Sequence, residues 1–320
     1  ISFKTKIVIF VIYIIYFLMK KILITGAAGF IGSSLANYIN DPKKIMIVDD
    51  MSKGKIYNLN KKLRSKLIKK PIESLSLDKF KKIDCIIHMA AQSVVKFSVD
   101  DFYKSSKKNL LSTLYVFEIA KKLKVPVIFA SSCAIYGQKK WGDDKVKSNF
   151  SLLSPYAQDK YTIEQYAKMA NDIYNVKSIG LRFFNIYGPN QKENNPYSGV
   201  IPIFINRAKK NKLIRINGGY QTRDFVFIDD VLKIILFLRK KLSANKNFHE
   251  IYNICTGNSQ SIEKLYNLVT KTLKSKSKKK YFKMSKNDPI KSAGSNKKIL
   301  KLLALNKTFF TKFETGLSLT

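Results

Sequence analysis

Lys20-Lys21-Ile22-Leu23-Ile24-Thr25-Gly26-Ala27-Ala28-Gly29-Phe30-Ile31-Gly32 decides the fold of this 320-residue chain. Ile22-Leu23-Ile24 is a short, wholly apolar run, the pattern of a parallel strand buried on both faces. It leads straight into three glycines spaced G-x-x-G-x-x-G, and Ser33 to Ile39 then has helical character. Strand, glycine turn and helix in that order form the first unit of a dinucleotide-binding fold. Gly26 permits the tight turn, Gly29 lets the backbone approach a pyrophosphate, and Gly32 lets helix and strand pack closely. The helix N-terminus offers the diphosphate its unpaired N–H groups and positive dipole end. A second strand, Ile45-Met46-Ile47-Val48, ends in Asp49, 23 residues after Gly26. A carboxylate at an offset of about 20 residues takes the adenosine ribose hydroxyls. It also repels a 2′-phosphate, so NAD is expected rather than NADP.

Composition narrows the function. An apolar fraction of 45% excludes a disordered chain. Cys85, Cys133 and Cys255 have no C-x-x-C spacing, and only His88 and His249 are present, which argues against zinc, a disulfide framework or any histidine-rich metal site. A reducing cytoplasm is the matching compartment. The net charge of +37 invites a nucleic-acid reading. However, 53 of the 59 basic residues are lysine, and arginine is the residue for forked phosphate contacts. Lys271 to Lys301 holds twelve lysines and one acid, Asp288, without a stacking ladder of aromatics. A solvated lysine surface is expected, with no nucleic-acid partner. Ile7 to Met19 is an unbroken apolar run of 13 residues, short of the roughly 20 that span a bilayer. Because the first strand follows without a linker, residues 1–18 are read as an extension foreign to the fold, with a membrane anchor as the alternative.

Strand and helix patterns alternate from Asp49 onward. Ile83 to His88 is a strand leading into Ala90, Ala91 and Gln92, small residues that let a loop lie against the cofactor. His88 reads as a packed residue rather than a catalyst. Phe102 to Lys122 is helical, with Asn109 a polar residue at an apolar site. Val125 to Ala130 is the next strand, ending at Ser131-Ser132. This alternation implies right-handed crossovers and an α/β fold with a doubly wound parallel sheet, Rossmann-like. Asp49, Ala90 and Ser132 all follow strand ends and should line one cleft. Ser154 and Pro155 start a further helix, which puts Tyr156 and Lys160 on one face. A phenol titrates near 10, too high for a neutral-pH base. An ammonium nearby and the positive nicotinamide of NAD favour the phenolate, while Ser132 hydrogen-bonds the same substrate oxygen.

Thr25–Gly32, His88–Gln92, Ser131–Gly137, Tyr156 with Lys160, Leu181–Pro189 and Gln221–Phe225 recur in that order. Over residues 20–300 the chain thereby resembles the extended short-chain dehydrogenase/reductase family, and within it the nucleotide-sugar 4-epimerases. The resemblance implies that Gly26, Gly29, Phe30, Ile31, Gly32, Asp49, Ala90, Ala91 and Asn109 hold NAD, together with Tyr156 and Lys160. It makes Tyr156 the base, Lys160 its partner and Ser132 the oxygen ligand. Asn185, Arg223 and Asp288 match positions that hold the UDP portion, with Gly199, Val200 and Ile201 near the uracil. Ser292 matches the gate beside the sugar 2-substituent, where a small side chain admits an N-acetyl group. Dehydratases of the family carry Asp-Glu after the catalytic serine or threonine, and the decarboxylases a glutamate; Cys133-Ala134 stands here instead. The reading is a cytoplasmic UDP-hexose 4-epimerase, with a 4-keto reductase or dehydratase as alternative. Residues 19–185 are expected to form the NAD domain and 186–320 a smaller substrate domain, with 228–258 returning to the main sheet. A homodimer is expected through the helices near 102–122 and 155–174. A phosphate-binding arginine of the family is missing near Ser285-Lys286.

Overall fold

The computed structural model describes residues 20–146, 150–191, 199–244, 248–284 and 288–320. Two expectations, the 1–18 extension and the Ser285-Lys286 stretch, lie outside them. Along the first part of the chain run β1 (Lys21–Thr25), α1 (Phe30–Ile39), β2 (Ile45–Val48), α2 (Lys61–Arg64), β3 (Leu67–Ile68), β4 (Ile83–His88), α3 (Val95–Asp100), α4 (Phe102–Leu123), β5 (Val127–Ser132), α5 (Pro155–Tyr174) and β6 (Ser178–Phe183). There follow β7 (Asn185–Tyr187), α6 (Val200–Lys209), β8 (Ile214–Asn217), β9 (Thr222–Arg223), β10 (Phe225–Phe227), α7 (Ile228–Ala244), β11 (His249–Ile254), β12 (Gln260–Ser261), α8 (Ile262–Thr272), β13 (Lys279–Phe282), β14 (Lys291–Ser292), α9 (Lys297–Leu303) and α10 (Phe313–Ser318).

Seven of these strands form one parallel sheet in the order β3-β2-β1-β4-β5-β6-β11. Order reverses between β1 and β4, and in a doubly wound sheet the ligand crevice opens beyond the carboxyl ends at such a switch. Strand side chains alternate, so Ile22 and Ile24 enter the core under α1 and α7, while Leu23 enters the core under α4 and α5. Both faces are apolar, which is why the β1 sequence is a continuous run. The expected Val125–Ala130 strand begins at Val127 and extends through Ser132, so the serine pair is the end of β5 rather than a loop after it.

The later residues form three further small sheets. There β7 pairs with β10, β8 with β13, and β9 lies between β12 and β14. The last arrangement aligns Arg223 with Ser292 and Gln260, joining residues far apart in sequence.

Candidate active site

The glycine turn is closed by a hydrogen bond from Gly29 N–H to Gly26 O, 3.1 Å. Gly26 has φ +64, and a Cβ there would stand 2.6 Å from Ala90 N, so the β4 loop lies directly on the turn. A Cβ on Gly32 would meet Gly26 O at 2.1 Å. Gly29 caps α1 in an extended conformation without a side-chain cap, which leaves the first N–H groups of the helix, at Phe30 and Ile31, for a ligand. Asp49 stands at the end of β2, where Oδ2 accepts Ala28 N–H (2.9 Å) and Oδ1 accepts Met51 N–H (2.8 Å). Burial raises its pKa, opposed by those amides. Asp49 thus also pins the turn. A turn closed by glycine, an uncapped helix start and a carboxylate at the adenosine end fit a dinucleotide.

Thr25, at the end of β1, joins this turn to β4. Its hydroxyl bonds His88 Nδ1 (2.7 Å) and accepts Ala90 N–H (3.2 Å). His88 Nε2 faces the Thr113 hydroxyl (3.0 Å), which itself donates to Asn109 O (2.7 Å). Thr113 must then accept from Nε2–H, and Thr25 donates to Nδ1. Burial lowers His88 to about 3, so it is a neutral, packed residue. Asn109 is committed to the protein: Oδ1 accepts Gln92 N–H (2.8 Å), while Nδ2 donates to Gln92 O and to Asp159 Oδ2 (2.9 Å). Its amide holds the Ala90–Gln92 loop and α5 together.

Tyr156 and Lys160 stand in the first turns of α5, whose N-cap Ser154 accepts Ala157 N–H (3.2 Å). Ser132 lies close enough to Tyr156 to lower its pKa against burial. Lys160 is 3% exposed; its ammonium donates to Ala130 O at 2.8 Å and lies 5.7 Å from the centroid of the Tyr156 ring. Burial draws Lys160 down to about 8 against the pull of Asp159 and Glu164. Burial pushes Tyr156 up to about 12. The lowered phenol expected from sequence calls on the nicotinamide of NAD as well as on Lys160. The ammonium is bonded to a carbonyl and partly neutralised by two carboxylates, so a second positive charge is needed to draw out the phenolate.

Behind this trio lies a network that the sequence reading passed over. Arg182 on β6 forks onto Glu164, Nε to Oε1 at 2.8 Å and Nη2 to Oε2 at 2.7 Å. Ser131 donates to Glu164 Oε1 (2.6 Å), and Arg182 Nη1 donates to the Tyr136 hydroxyl (2.9 Å). The available signal was a charge inside an apolar strand, Arg182, and an acid four residues after Lys160, on the same helix face.

The residues expected at the substrate lie on β7, β9, β14 and the start of α6, with Asp288 just before β14. Ser292 Oγ lies 3.8 Å from Cys133 Sγ. Arg223 donates to Asp288 Oδ1 and, at 2.8 Å, to Thr222 O. Asn185 donates to Asp224 O (3.4 Å). Asp224 itself, also not singled out from sequence, is fully buried and accepts Thr256 N–H, the Thr256 hydroxyl and Gly257 N–H. Burial raises its pKa to about 6. Gly199 and Val200 open α6, with Gly199 against Gln191. Ile201, in the first turn of α6, is buried in the core.

The fold recurs among known proteins. A UDP-N-acetylglucosamine 4-epimerase from Methanobrevibacter ruminantium, solved with UDP-N-acetylmuramic acid, is 31% identical, with a TM-score of 0.85 over 94% of this chain and 96% of its own. A Thermus thermophilus UDP-glucose 4-epimerase solved with NAD is 25% identical, with a TM-score of 0.81 over 94% and 97%. The UDP-glucose 4-epimerase of Mycolicibacterium smegmatis is 30% identical over 78% of this chain and 81% of its own length. The NAD dependent epimerase/dehydratase family model matches residues 22–255. The chain therefore belongs to the NAD-dependent epimerase/dehydratase family of extended short-chain dehydrogenases/reductases, and its cofactor is NAD.

Proposed function

We propose that this chain is a cytoplasmic UDP-hexose 4-epimerase, interconverting UDP-GlcNAc with UDP-GalNAc, UDP-Glc with UDP-Gal, or both. One observation carries the reading. Ser132 stands beside Tyr156 at the end of β5, Lys160 donates to Ala130 O, and the two residues that follow Ser132, Cys133 and Ala134, bring no second acid or base. Burial pushes Cys133 up to about 11 and keeps it a neutral thiol. Elimination of water needs a further acid–base pair; inversion at C4 does not.

NAD, when bound, takes hydride from C4 and returns it to the other face. Tyr156 accepts the proton of the 4-hydroxyl and gives it back, and Ser132 holds the same oxygen. Lys160 supplies one of the positive charges that make a phenolate accessible. Asn109 acts through Gln92, fixing the loop that covers the glycine turn. Asp49 takes the ribose hydroxyls, and Arg223, Asp288 and Asn185 hold the UDP portion while the 4-ketose turns about its diphosphate linkage. The small Ser292 beside Cys133 leaves space for a 2-N-acetyl group. Two copies of the chain pair through α4 and α5, whose outer faces expose Leu111, Leu114, Tyr166, Met169 and Ile173.

Incubation of purified protein with each UDP-sugar, without added cofactor, tests the proposal. An epimerase that retains NAD interconverts the sugars, whereas a reductase or a non-catalytic binder yields no product. Tyr156→Phe should lower turnover by at least about a thousandfold with UDP affinity within about threefold of the parent, since only the proton-transfer group is lost. Unaltered turnover refutes Tyr156 as the base.

A further inference from the structure

Asn253 takes no part in the proton transfer, yet it is fully buried near the end of β11, the edge strand of the main sheet. Its amide joins segments that are distant in sequence. Oδ1 accepts the Tyr136 hydroxyl (2.7 Å), while Nδ2 donates to Gly142 O (3.1 Å) and to Ser295 O (3.1 Å). The backbone N–H of the same residue donates to Oδ2 of the buried Asp144 (2.9 Å). Gly142 is tied in turn to the segment after β14: it donates to Ala293 O (2.8 Å) and accepts Ser295 N–H (2.9 Å). It also lies on the Tyr136 ring, where a Cβ would come within 2.5 Å of Cε2. Tyr136 ends the single 3₁₀ turn Cys133–Tyr136, and Ser295 lies three residues beyond Ser292.

Cys133 Sγ and Ser292 Oγ face each other at 3.8 Å, and each residue is three positions away from a bond to this one amide. We propose that Asn253 is a positioning residue for substrate discrimination: it fixes the separation of Cys133 and Ser292, and so the space offered to the 2-substituent of the hexose. The inference rests on the UDP-hexose reading and on Ser292 as the residue beside that substituent. Both walls are held from a second side as well. Arg182 stands opposite Asn253 in the β6–β11 register, and its fork on Glu164 and its bond to the Tyr136 hydroxyl hold the tyrosine against the sheet. Asp224 N–H donates to Ser292 O (2.9 Å), which holds β14 on β9. Neither wall can then shift without breaking hydrogen bonds inside the protein, where an unmade bond carries its full desolvation penalty. A 2-N-acetyl group reaches these walls and a 2-hydroxyl is too small to fill the space, so the two substrates respond differently when the walls move.

Steady-state kinetics of the full chain with UDP-GlcNAc and with UDP-Glc, and calorimetric binding of both sugars and of UDP, test this. Asn253→Ala should lower kcat/KM for UDP-GlcNAc at least about tenfold, chiefly through KM, and that for UDP-Glc by less than about threefold. UDP affinity should stay within about threefold of the parent, because Arg223 and Asp288 pair with each other outside this clamp. Tyr136→Phe keeps the ring and removes one bond; it should shift the ratio of the two substrates in the same sense by about threefold, and it decides the matter where Asn253→Ala fails to fold. Asn171→Ala removes another buried amide, at the far end of α5, where it donates to Val176 O (3.2 Å), and should leave that ratio unchanged. Equal losses for both sugars in Asn253→Ala, an unchanged ratio, or an equal shift from Asn171→Ala would each overturn the inference. A parent that binds both sugars without interconverting them refutes the epimerase reading alone, and the ratio of the two affinities then tests Asn253. A parent that binds neither sugar overturns both.

Discussion

The protonation of Lys160 shows how tightly the site is drawn. An ammonium held at 3% exposure and pulled down to about 8 is penalised by burial while it is charged. Between pH 8 and 10.5 the unfolded chain keeps that proton and the native chain releases it, so stability from this group rises with pH across the window and the penalty applies in full below it. Lys160→Met is therefore expected to abolish turnover yet raise stability at pH 7 by roughly 2 kcal/mol. Thermal unfolding checks it, and the gap between variant and parent should narrow from pH 8 to pH 10. Glu164 behaves in the opposite way. Its removal in Glu164→Ala strands the Arg182 guanidinium, itself only 2% exposed, at an expected loss of about 3–5 kcal/mol measured by urea unfolding.

At the scale of elements, the crossing of β1 and α1 sets the position of the cofactor. Gly32 lies on Gly26 O because helix and turn meet without side chains between them. Gly32→Ala must force the helix outward, at an expected cost of about 1–3 kcal/mol, and the purified variant should carry less NAD, as read from its absorbance after denaturation. Thr25, His88 and Thr113 then tie β1 to β4 and to α4 by hydroxyl and imidazole groups alone. The two histidine nitrogens are used in full, which explains a buried histidine without chemistry of its own.

At the scale of the whole molecule, α4 and α5 expose several apolar residues to solvent. Leu111 is 45% and Ile173 62% exposed, on helices that also carry Asn109 and Tyr156. If two copies pair through these helices, as proposed, the double variant Leu111→Glu, Ile173→Glu is expected to sediment as a monomer in analytical ultracentrifugation and to lose turnover, because α5 loses its support. Retention of the parent's sedimentation would remove these helices from the contact.

Much of this protein was legible in its residues. The G-x-x-G-x-x-G turn, the carboxylate of Asp49, the serine at the end of β5 and the Tyr156–Lys160 pair are local patterns whose spacing alone dictates turn, strand end and helix face. So the doubly wound sheet and NAD followed without coordinates. Tertiary structure decided the rest. The hydrogen bonds of Asn109 to the Ala90–Gln92 loop and to Asp159, and the burial of Ile201, depend on residues distant in sequence. Ser292 reaches Cys133 through β14 pairing with β9, a register that no local pattern encodes. The proton affinity of Tyr156 belongs to the same class: its direction is set by desolvation and by neighbours on other elements, and these exist only once the chain has closed around it.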